Sequence, residues 1–258
     1  MPLLSVHYLP SSAANGYNSA MCFNPIIVAL DVTSAEAAAS LVHELSGTVG
    51  AYKIGLELFN AVGIGIFGHL REVDSKAKIF YDAKFHDIPN TVAGAVRSAN
   101  NHNVWMVNVH ASGGRAMMKA AVAAASEADV KPLVIAVTVL TSLDDSDLNN
   151  DLGIRRTVRS QVVALAELAK ESGCDGVVAS PHEIKAIKQA CDREFLVITP
   201  GVRPAGASLG DQKRVMTPGE AVALGADYIV VGRPITGAGS PRDAAINILR
   251  EIEGATAN

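Results

Sequence analysis

Two aspartates and a lysine stand close together in the segment Phe80-Tyr-Asp-Ala-Lys-Phe-His-Asp-Ile-Pro-Asn-Thr91. The segment begins as a strand, because the residues before Asp82 are apolar and partly aromatic. Side chains alternate across a strand, so Asp82 and Lys84 are expected to project from the same face. Asp87 follows where Ile88-Pro89 ends the extended run. Gathering these charges away from water is costly, and a protein keeps such a cluster more readily for chemistry than for stability.

Lys53 adds a fourth charge, and together with Asp82, Lys84 and Asp87 it can form one extended ion network of alternating sign. At about 4 Å and an effective dielectric of about 20, each attractive pair contributes roughly 4 kcal/mol. Preorganised charge of this kind stabilises charge that develops during a reaction. The alternative is a network that only braces the strand ends. It is disfavoured because buried ion pairs stabilise a protein weakly compared with apolar packing.

Eight apolar, strand-like runs must position these charges, and helix signals separate the runs. The runs lie at 26–30, 51–54, 79–82, 106–109, 133–139, 176–179, 196–198 and 228–231. Capping boxes are predicted at Thr33-x-x-Glu36, Ser180-Pro-x-Glu183 and Thr217-Pro-x-Glu220, and helix ends at Gly225 and Gly254. Apolar strands that alternate with helices indicate a parallel sheet buried on both faces. Eight such units predict an α/β fold of the (β/α)₈ TIM barrel type, with outer helices.

An open doubly wound sheet is the competing architecture. The count of eight disfavours it, and so does the first strand, which is followed by Ala29-Leu-Asp-Val-Thr33 rather than by Gly-x-Gly-x-x-Gly. No low-complexity linker divides the chain. We therefore expect a flexible or peripheral N-terminal extension at 1–24 and a single barrel domain at 25–258.

The polar residues fall at the carboxyl ends of the predicted strands, where barrel enzymes place their active sites. This set comprises Asp31, Lys53, Asp82, Lys84, His110, Thr141, Arg203 and Arg233. Asn108 and His110 share a strand face and are possible substrate contacts, but we do not expect a catalytic role for either. Random placement would scatter some of these residues to the opposite rim, so their concentration indicates one site.

Phosphate binding is expected after the last two strands, the usual phosphate position of barrels. There the chain reads Thr199-Pro-Gly-Val-Arg-Pro204 and Gly232-Arg-Pro-Ile-Thr236. Glycine lets backbone N–H groups approach phosphate oxygens, and an arginine fork binds them bidentately. The alternative reading is glycine as ordinary turn punctuation. The polar segment 204–217 is long for a barrel loop and is a candidate lid, in which Gln212 can donate its amide N–H.

The composition, 49% hydrophobic and 19% charged over 258 residues, is that of a soluble globular chain. A formal net charge of −4 argues against nucleic acid as a partner, although local cations can still bind a small anion. No run approaches the roughly 20 apolar residues of a membrane span, and we see no secretory signal. The three cysteines lack metal-ligand spacing. These features predict free thiols, no metal site and a cytoplasmic location.

The segment Asp82-Ala-Lys-Phe-His-Asp-Ile-Pro-Asn-Thr91 closely resembles the signature of the orotidine 5′-phosphate decarboxylase family. The resemblance covers roughly Pro25 to the C-terminus and looks most like the bacterial branch. It continues in order through Ala29-Leu-Asp31, Tyr52-Lys-Ile-Gly-Leu-Glu57, Val137-Thr-Val-Leu-Thr-Ser142, the two phosphate segments and Asp211-Gln212. One departure is Ala83, where leucine is more usual. Ala83 is expected to point away from the site by strand alternation, so the departure concerns packing only.

The resemblance implies a cofactor-free decarboxylation of orotidine 5′-monophosphate to uridine 5′-monophosphate and carbon dioxide, in pyrimidine biosynthesis. Lys84 would be the general acid, Asp82 would face the substrate carboxylate, and Lys53 and Asp87 would complete the charged array. The family also implies a homodimer with shared sites, in which Asp87, Ile88 and Thr91 come from the neighbouring subunit. The remaining substrate contacts implied are Asp31 for the ribose, Thr141 and Ser142 for the pyrimidine, and Arg203, Gln212, Gly232 and Arg233 for the phosphate.

Two other functions stay open at this point. The Asp-x-Lys-x-x-Asp core also occurs in 3-keto-gulonate 6-phosphate decarboxylase, a related barrel that uses magnesium. The segment with Asp211-Gln212 and the Ile88-Pro-Asn-Thr91 continuation favour the orotidine enzyme. A nucleotide-binding sensor that has lost catalysis is the non-enzymatic alternative. It is disfavoured because a buried charged array contributes little to stability and would not be retained in a site that has lost catalysis.

Overall fold

Eight parallel strands close into a barrel in strict sequence order, with each strand paired to its neighbours and the eighth paired to the first. The computed structural model describes residues 23–204 and 216–256. The predicted (β/α)₈ fold is confirmed. The strands are β1 Ile26–Ala29, β2 Ala51–Ile54, β3 Ile79–Phe85, β4 Met106–His110, β5 Leu133–Val137, β6 Gly176–Val178, β7 Leu196–Pro200 and β8 Tyr228–Val231.

Helices surround the barrel and connect the strands. They are α1 Ala35–Leu45, α2 Leu56–Val62, α3 Ile66–Val73, α4 Pro89–Asn100, α5 Gly114–Ala125, α6 Val158–Glu171, α7 Ile184–Cys191, α8 Pro218–Ala223, α9 Arg233–Thr236 and α10 Pro241–Thr256. Short 3₁₀ turns, Ala111–Gly113 and Pro181–Glu183, precede α5 and α7, and a π-helical turn lies at Asp147–Asp151. No helix in the described ranges is both long and apolar enough to cross a membrane.

The predicted helix signals are partly right. The Thr217 capping box is confirmed, since the Thr217 side chain accepts from the Glu220 N–H and Glu220 accepts from the Thr217 N–H. The Thr33 box is wrong, because the extended residue before α1 is Ser34, whose Oγ accepts from Ala37 N–H at 3.2 Å.

Of the three remaining helix signals, one is confirmed and two are wrong. Ser180 Oγ accepts from His182 N–H rather than from the residue after it, and so starts the 3₁₀ turn instead of a capping box. Gly225 has φ +109° and follows α8, as predicted, because glycine reaches this conformation without a Cβ clash. Gly254 does not end a helix, since α10 continues to Thr256.

Apolar side chains fill the barrel interior and form a buried layer below its carboxyl end. This inner cluster consists of Ile27, Ala29, Ala51, Phe80, Met106, Ile135, Ile198 and Val230. The alternate side chains of the strands point outward and pack against the helices in a second, larger cluster. Two residues beyond Ala51, Phe80 and Met106, the next inward positions are Lys53, Asp82 and Asn108. The alternation therefore places three buried polar side chains directly above an apolar layer.

Carboxylates at the opposite, amino-terminal rim fix where strands begin. Asp175, just before β6, accepts from Val134 N–H on β5 at 2.8 Å, and its partner cation is Lys131. Asp227, just before β8, accepts from Val197 N–H on β7 at 2.7 Å and pairs with Lys188. These pairs bind backbone groups, so the charges at this rim have a structural role.

The first described residues already contact the barrel. Phe23 lies against Tyr228 with ring centroids 5.2 Å apart, and Asn24 donates to Thr48 O at 2.8 Å. The predicted extension at 1–24 otherwise lies outside the described residues and stays a prediction.

Gly176 on β6 should tolerate no side chain, because an added Cβ would lie 2.3 Å from the backbone oxygen of Leu196 on β7. We expect Gly176→Ala to lower the free energy of unfolding by about 1–3 kcal/mol, the usual cost of overpacking. Urea unfolding measures this change.

The matched control is Gly68→Ala on α3, where an added Cβ meets nothing within 4 Å. It should instead raise the unfolding free energy by about 0.5–1 kcal/mol, because alanine loses less entropy in a helix. Equal effects of the two substitutions would contradict the close approach of β6 and β7.

Candidate active site

An irregularity in β3 shapes the centre of the site. β3 and β4 are in register at Tyr81 with Val107 and again at Phe85 with Val109. Between these pairs β3 carries three residues, Asp82, Ala83 and Lys84, whereas β4 carries only Asn108. Such bulges bend a strand and redirect its side chains, and they occur next to active sites. As predicted, Ala83 packs outward against the helix-facing core while Asp82 and Lys84 lie on the inner side.

Lys84 adopts the left-handed backbone conformation, with φ +51°. This conformation costs a non-glycine residue roughly 1–2 kcal/mol, so the surroundings must hold it in place. Asn108 stabilises this conformation, because its Oδ1 accepts a hydrogen bond from Lys84 N–H at 2.7 Å. The other end of the amide, Nδ2, donates to Asp82 Oδ1 at 2.6 Å.

Four charged side chains form a continuous chain across the ends of β1, β2 and β3. Lys53 Nζ lies 3.1 Å from Asp31 Oδ1 and 3.3 Å from Asp82 Oδ2. Lys84 Nζ lies 2.7 Å from the other oxygen, Asp82 Oδ1. Asp82 thus receives one ammonium group on each carboxylate oxygen while only 8% of its surface is exposed. Of the predicted array of Lys53, Asp82, Lys84 and Asp87, the first three are in contact at these distances.

Gly55 is a residue that the sequence reasoning missed. A Cβ at this position would lie 2.8 Å from Lys53 Nζ and 3.5 Å from Asp31 Oδ1. The absence of a side chain therefore makes room for the ammonium group between its two carboxylates. A glycine two residues after a lysine at a strand end was the available signal, but a glycine before a helix is more often ordinary turn punctuation.

Asn108 was predicted only as a possible substrate contact, and the structure gives it a different place. Its side chain is fully buried and bonds to both Asp82 and Lys84. A buried amide needs partners for its donor and its acceptor, so an asparagine on an otherwise apolar strand was a detectable signal.

His110, at the end of β4, packs against His86 with ring centroids 5.3 Å apart and ring planes tilted by 33°. Burial lowers the pKa of His110 below its usual range, and the neighbouring His86 and Lys84 lower it further, although Asp82 acts in the opposite direction. His86 in turn lies over Gly113, where an added Cβ would meet its Cδ2 at 3.2 Å. The two rings connect the charged array to the loop that follows β3.

Asp87, Ile88 and Thr91 do not join the array within the described chain. Asp87 Oδ1 accepts from Ile88 N–H at 2.6 Å, and no ion pair involves Asp87 within residues 23–204 and 216–256. All three residues are exposed, and Ile88 is 67% exposed although it is apolar. They lie before and at the start of α4, beside an open depression of about 510 Å³ lined by His86, Asp87, Ile88, Pro89, Ser112 and Gly113.

The predicted phosphate residues lie at the ends of β7 and β8. Arg203 N–H donates to Met216 O at 3.0 Å, which brings the two ends of the segment between them together. Gly232 and Arg233 lead from β8 into α9. An added Cβ at Gly232 would lie 3.7 Å from Asp31 Oδ2, so this turn is adjacent to the array. Gln212 and most of the predicted lid lie outside the described residues.

Thr141 and Ser142 follow β5 by four and five residues. Thr141 is half-buried and Ser142 is exposed, and neither makes a hydrogen bond to the array within the part of the chain that the structure describes. That part also contains no group of three or more His, Cys, Asp or Glu side chains arranged to hold a metal ion.

Comparison with known proteins identifies the family. Residues 24–248 match the sequence model of the Orotidine 5'-phosphate decarboxylase / HUMPS family. The chain belongs to this family.

Relatives within the Orotidine 5'-phosphate decarboxylase / HUMPS family are similar over nearly the whole barrel. A protein of Moorella thermoacetica named orotidine 5'-phosphate decarboxylase is 53% identical over 233 residues, which is 88% of this chain and 92% of that one. A protein of the same name from Dichelobacter nodosus is 51% identical and covers 90% and 100%. The crystal structure of the Lactobacillus acidophilus orotidine 5'-phosphate decarboxylase has a TM-score of 0.79 at 37% identity, covering 89% and 99%. The predicted resemblance to this family is confirmed.

The lowered pKa of His110 predicts a pH-dependent contribution to stability. Below the ordinary histidine pKa of about 6.5, the unfolded chain binds a proton at this position more readily than the folded chain does. The contribution of His110 to the unfolding free energy should therefore fall as the pH drops below about 6.5 and stay level above it.

The measurement compares wild type with His110→Gln in urea at pH 5.5 and pH 7.5. The stability difference between the two proteins should shift in favour of His110→Gln at the lower pH. A His110 pKa at or above the ordinary value, measured by NMR titration of the folded protein, would contradict this prediction.

Proposed function

We propose that this protein is an orotidine 5′-phosphate decarboxylase, which converts orotidine 5′-monophosphate to uridine 5′-monophosphate and carbon dioxide. The observation that carries the proposal is the Asp31–Lys53–Asp82–Lys84 chain of charges at the carboxyl end of the barrel. Relatives that carry this enzyme's name are about half identical in sequence over the whole barrel, which supports the same assignment.

Lys84 is the proposed proton donor. When the bond between the pyrimidine ring and the substrate carboxylate breaks, the electron pair stays on the ring carbon and carbon dioxide leaves. The Lys84 ammonium attracts the developing negative charge and then transfers a proton to that carbon, and the resulting amine regains a proton from water. In this proposal the reaction uses no cofactor, and all of the stabilisation comes from charges already in place.

Asp82 is proposed to face the carboxylate that leaves. Asp82 itself is poorly hydrated, with 8% of its surface exposed, and two ammonium groups hold its side chain in position. Repulsion between Asp82 and the substrate carboxylate would disappear when carbon dioxide departs. Lys53 bridges Asp82 to Asp31, and it therefore ties the reacting end of the site to the proposed ribose contact.

The rest of the substrate is proposed to extend from Asp31 across the barrel end. Asp31 would bind the ribose hydroxyls, and its proximity to Gly232 supports a phosphate position at the turn after β8. The phosphate contacts would be Arg203, Gln212, Gly232 and Arg233, while Thr141 and Ser142 would contact the pyrimidine. Binding energy from a phosphate remote from the reacting carbon can be used to assemble the site.

A homodimer with shared sites is proposed, in which Asp87, Ile88 and Thr91 reach into the partner's site. Two features support it. Asp87 makes no ion pair within the described part of its own chain, and Ile88 exposes most of an apolar side chain on the same loop. Burial of such a side chain against a second copy would remove apolar surface from water. We also propose a single catalytic domain at 25–258, working in the cytoplasm.

The first test follows ultraviolet absorbance while the purified protein acts on orotidine 5′-monophosphate in the presence of a metal chelator. The absorbance should fall as fast with the chelator as without it, because the proposed reaction needs no metal. Activity that disappears with the chelator and returns with magnesium would favour a metal-dependent sugar-phosphate decarboxylase. Tight binding of uridine monophosphate without turnover would indicate a sensor.

Subunit mixing tests both the proton donor and the shared site. Lys84→Ala and Asp87→Ala should each be inactive alone, while Lys84→Ala should still bind uridine monophosphate. In a mixed dimer one site carries both changes and the other carries neither, so co-refolded subunits should regain about a quarter of wild-type activity.

The control mixture combines Lys84→Ala with Asp82→Ala. These two side chains lie 2.7 Å apart within one chain, so no mixed dimer contains an intact site and no activity should return. Recovery in the control, or none in the first mixture, would contradict the proposed sharing. Full turnover by Lys84→Ala alone would overturn its role as proton donor.

A further inference from the structure

Asn108 occupies the gap that the irregularity in β3 leaves in the barrel. It is the one β4 residue between the register pairs on either side, and it lies opposite Asp82, Ala83 and Lys84. Regular ladder hydrogen bonds cannot form where three residues face one. The Asn108 side chain takes their place by accepting from Lys84 N–H at 2.7 Å.

The orientation of the Asn108 amide follows from its partners. Oδ1 faces an N–H group and Nδ2 faces a carboxylate oxygen of Asp82, at 2.6 Å. A flipped amide would set oxygen against carboxylate and nitrogen against N–H, so only one orientation satisfies both contacts. One planar group therefore fixes the distance between the Lys84 backbone and the Asp82 carboxylate.

Packing alone does not explain an asparagine here. The position is fully buried, the residue two before it on the same inner face is Met106, and the residue opposite it on β5 is Ile135. An apolar side chain of similar volume would fit such surroundings. It would, however, leave Lys84 N–H without its partner and would remove a donor from Asp82.

We propose that Asn108 is a positioning residue for the decarboxylation: its amide holds the Lys84 ammonium and the Asp82 carboxylate in their reactive arrangement. The inference rests on the proposed function, because it assigns Asn108 a task in that reaction. Asn108 acts through Lys84 and Asp82 and need not touch the substrate. The left-handed backbone of Lys84 shows why this hydrogen bond is needed. A residue with φ +51° is expected to change its backbone conformation once its N–H loses its partner.

The first variant is Asn108→Leu, which keeps the branching and the number of side-chain heavy atoms and removes both hydrogen bonds. We expect kcat for orotidine 5′-monophosphate to fall by roughly 10²-fold, the usual effect of displacing a catalytic group by about 1 Å. Binding of uridine monophosphate should change by less than about threefold, because the phosphate and ribose contacts lie elsewhere. A kcat close to that of wild type per folded molecule would overturn the proposal.

The second variant, Asn108→Asp, has nearly the same shape and responds to pH. When ionised, the new carboxylate repels Asp82, and kcat should be low. When the pair shares a proton, the new group can donate to Asp82 and accept from Lys84 N–H as the amide does. The ratio of variant to wild-type kcat should therefore rise at least about tenfold between pH 8 and pH 5.5. A ratio that stays flat with pH would overturn the proposal.

Other titratable groups near position 108 are common to both proteins and cancel in that ratio. They are Asp82 and Lys84 on β3, Lys53 on β2 and His110 on β4, while β5 presents Ile135. The matched control is Asn100→Asp, at an asparagine whose Nδ2 donates to Ala124 O at 2.8 Å, away from the array. Its kcat should equal that of wild type at every pH.

Failure of the proposed function and failure of this inference give different results. A wild-type protein that does not decarboxylate orotidine 5′-monophosphate refutes the function, whereas an active wild type with active Asn108 variants refutes the inference alone. If neither variant folds, hydrogen exchange of wild-type Lys84 N–H decides. Protection equal to that of the barrel strands supports a lasting hydrogen bond from Lys84 N–H to Asn108, and exchange at the rate of an exposed amide overturns the proposal.

Discussion

The Asp82 carboxylate is the group on which the rest of the site depends. Each of its oxygens has an ammonium partner, and one oxygen also accepts from the Asn108 amide. A nearly buried carboxylate would be too costly without such partners. Without it, Lys84 would lose its partner in the array and Lys53 would keep only Asp31. Asp82, Lys53 and Lys84 are therefore interdependent, and they meet because β2 and β3 are neighbouring strands.

The barrel separates two kinds of charged interaction by distance. At the amino-terminal rim, Asp175 and Asp227 accept from backbone N–H groups and fix the beginnings of strands. At the carboxyl rim, Asp31, Lys53, Asp82 and Lys84 bond mainly to one another. The apolar inner cluster lies between the rims and excludes water from below. Polar interactions in such poorly hydrated surroundings are stronger than in water, which suits the proposed stabilisation by fixed charge.

Much of this could be predicted from the sequence, for identifiable physical reasons. The eight strands were recognisable because both faces of each are buried. Lys53 and Asp82 were placed on one rim because each lies at the carboxyl end of a predicted strand. The bulge was not predictable, since nothing in Asp82-Ala-Lys84 marks a register shift that only the partner strand reveals. The roles of Asn108 and Gly55 were missed for the same reason: each depends on atoms from another strand or on a space between side chains. The Thr33 cap failed because a neighbouring serine competes for the same position.

Gly55 has a consequence for how this protein can vary. The nearest atom to an added methyl group there is the end of a flexible lysine, which can move aside at little cost to folding. The same movement would take the ammonium away from Asp31 and Asp82. A substitution at this position would therefore leave the barrel folded while it separates the charges of the array. Sequence drift at the end of β2 is limited by chemistry, whereas at Gly176 it is limited by the fold itself.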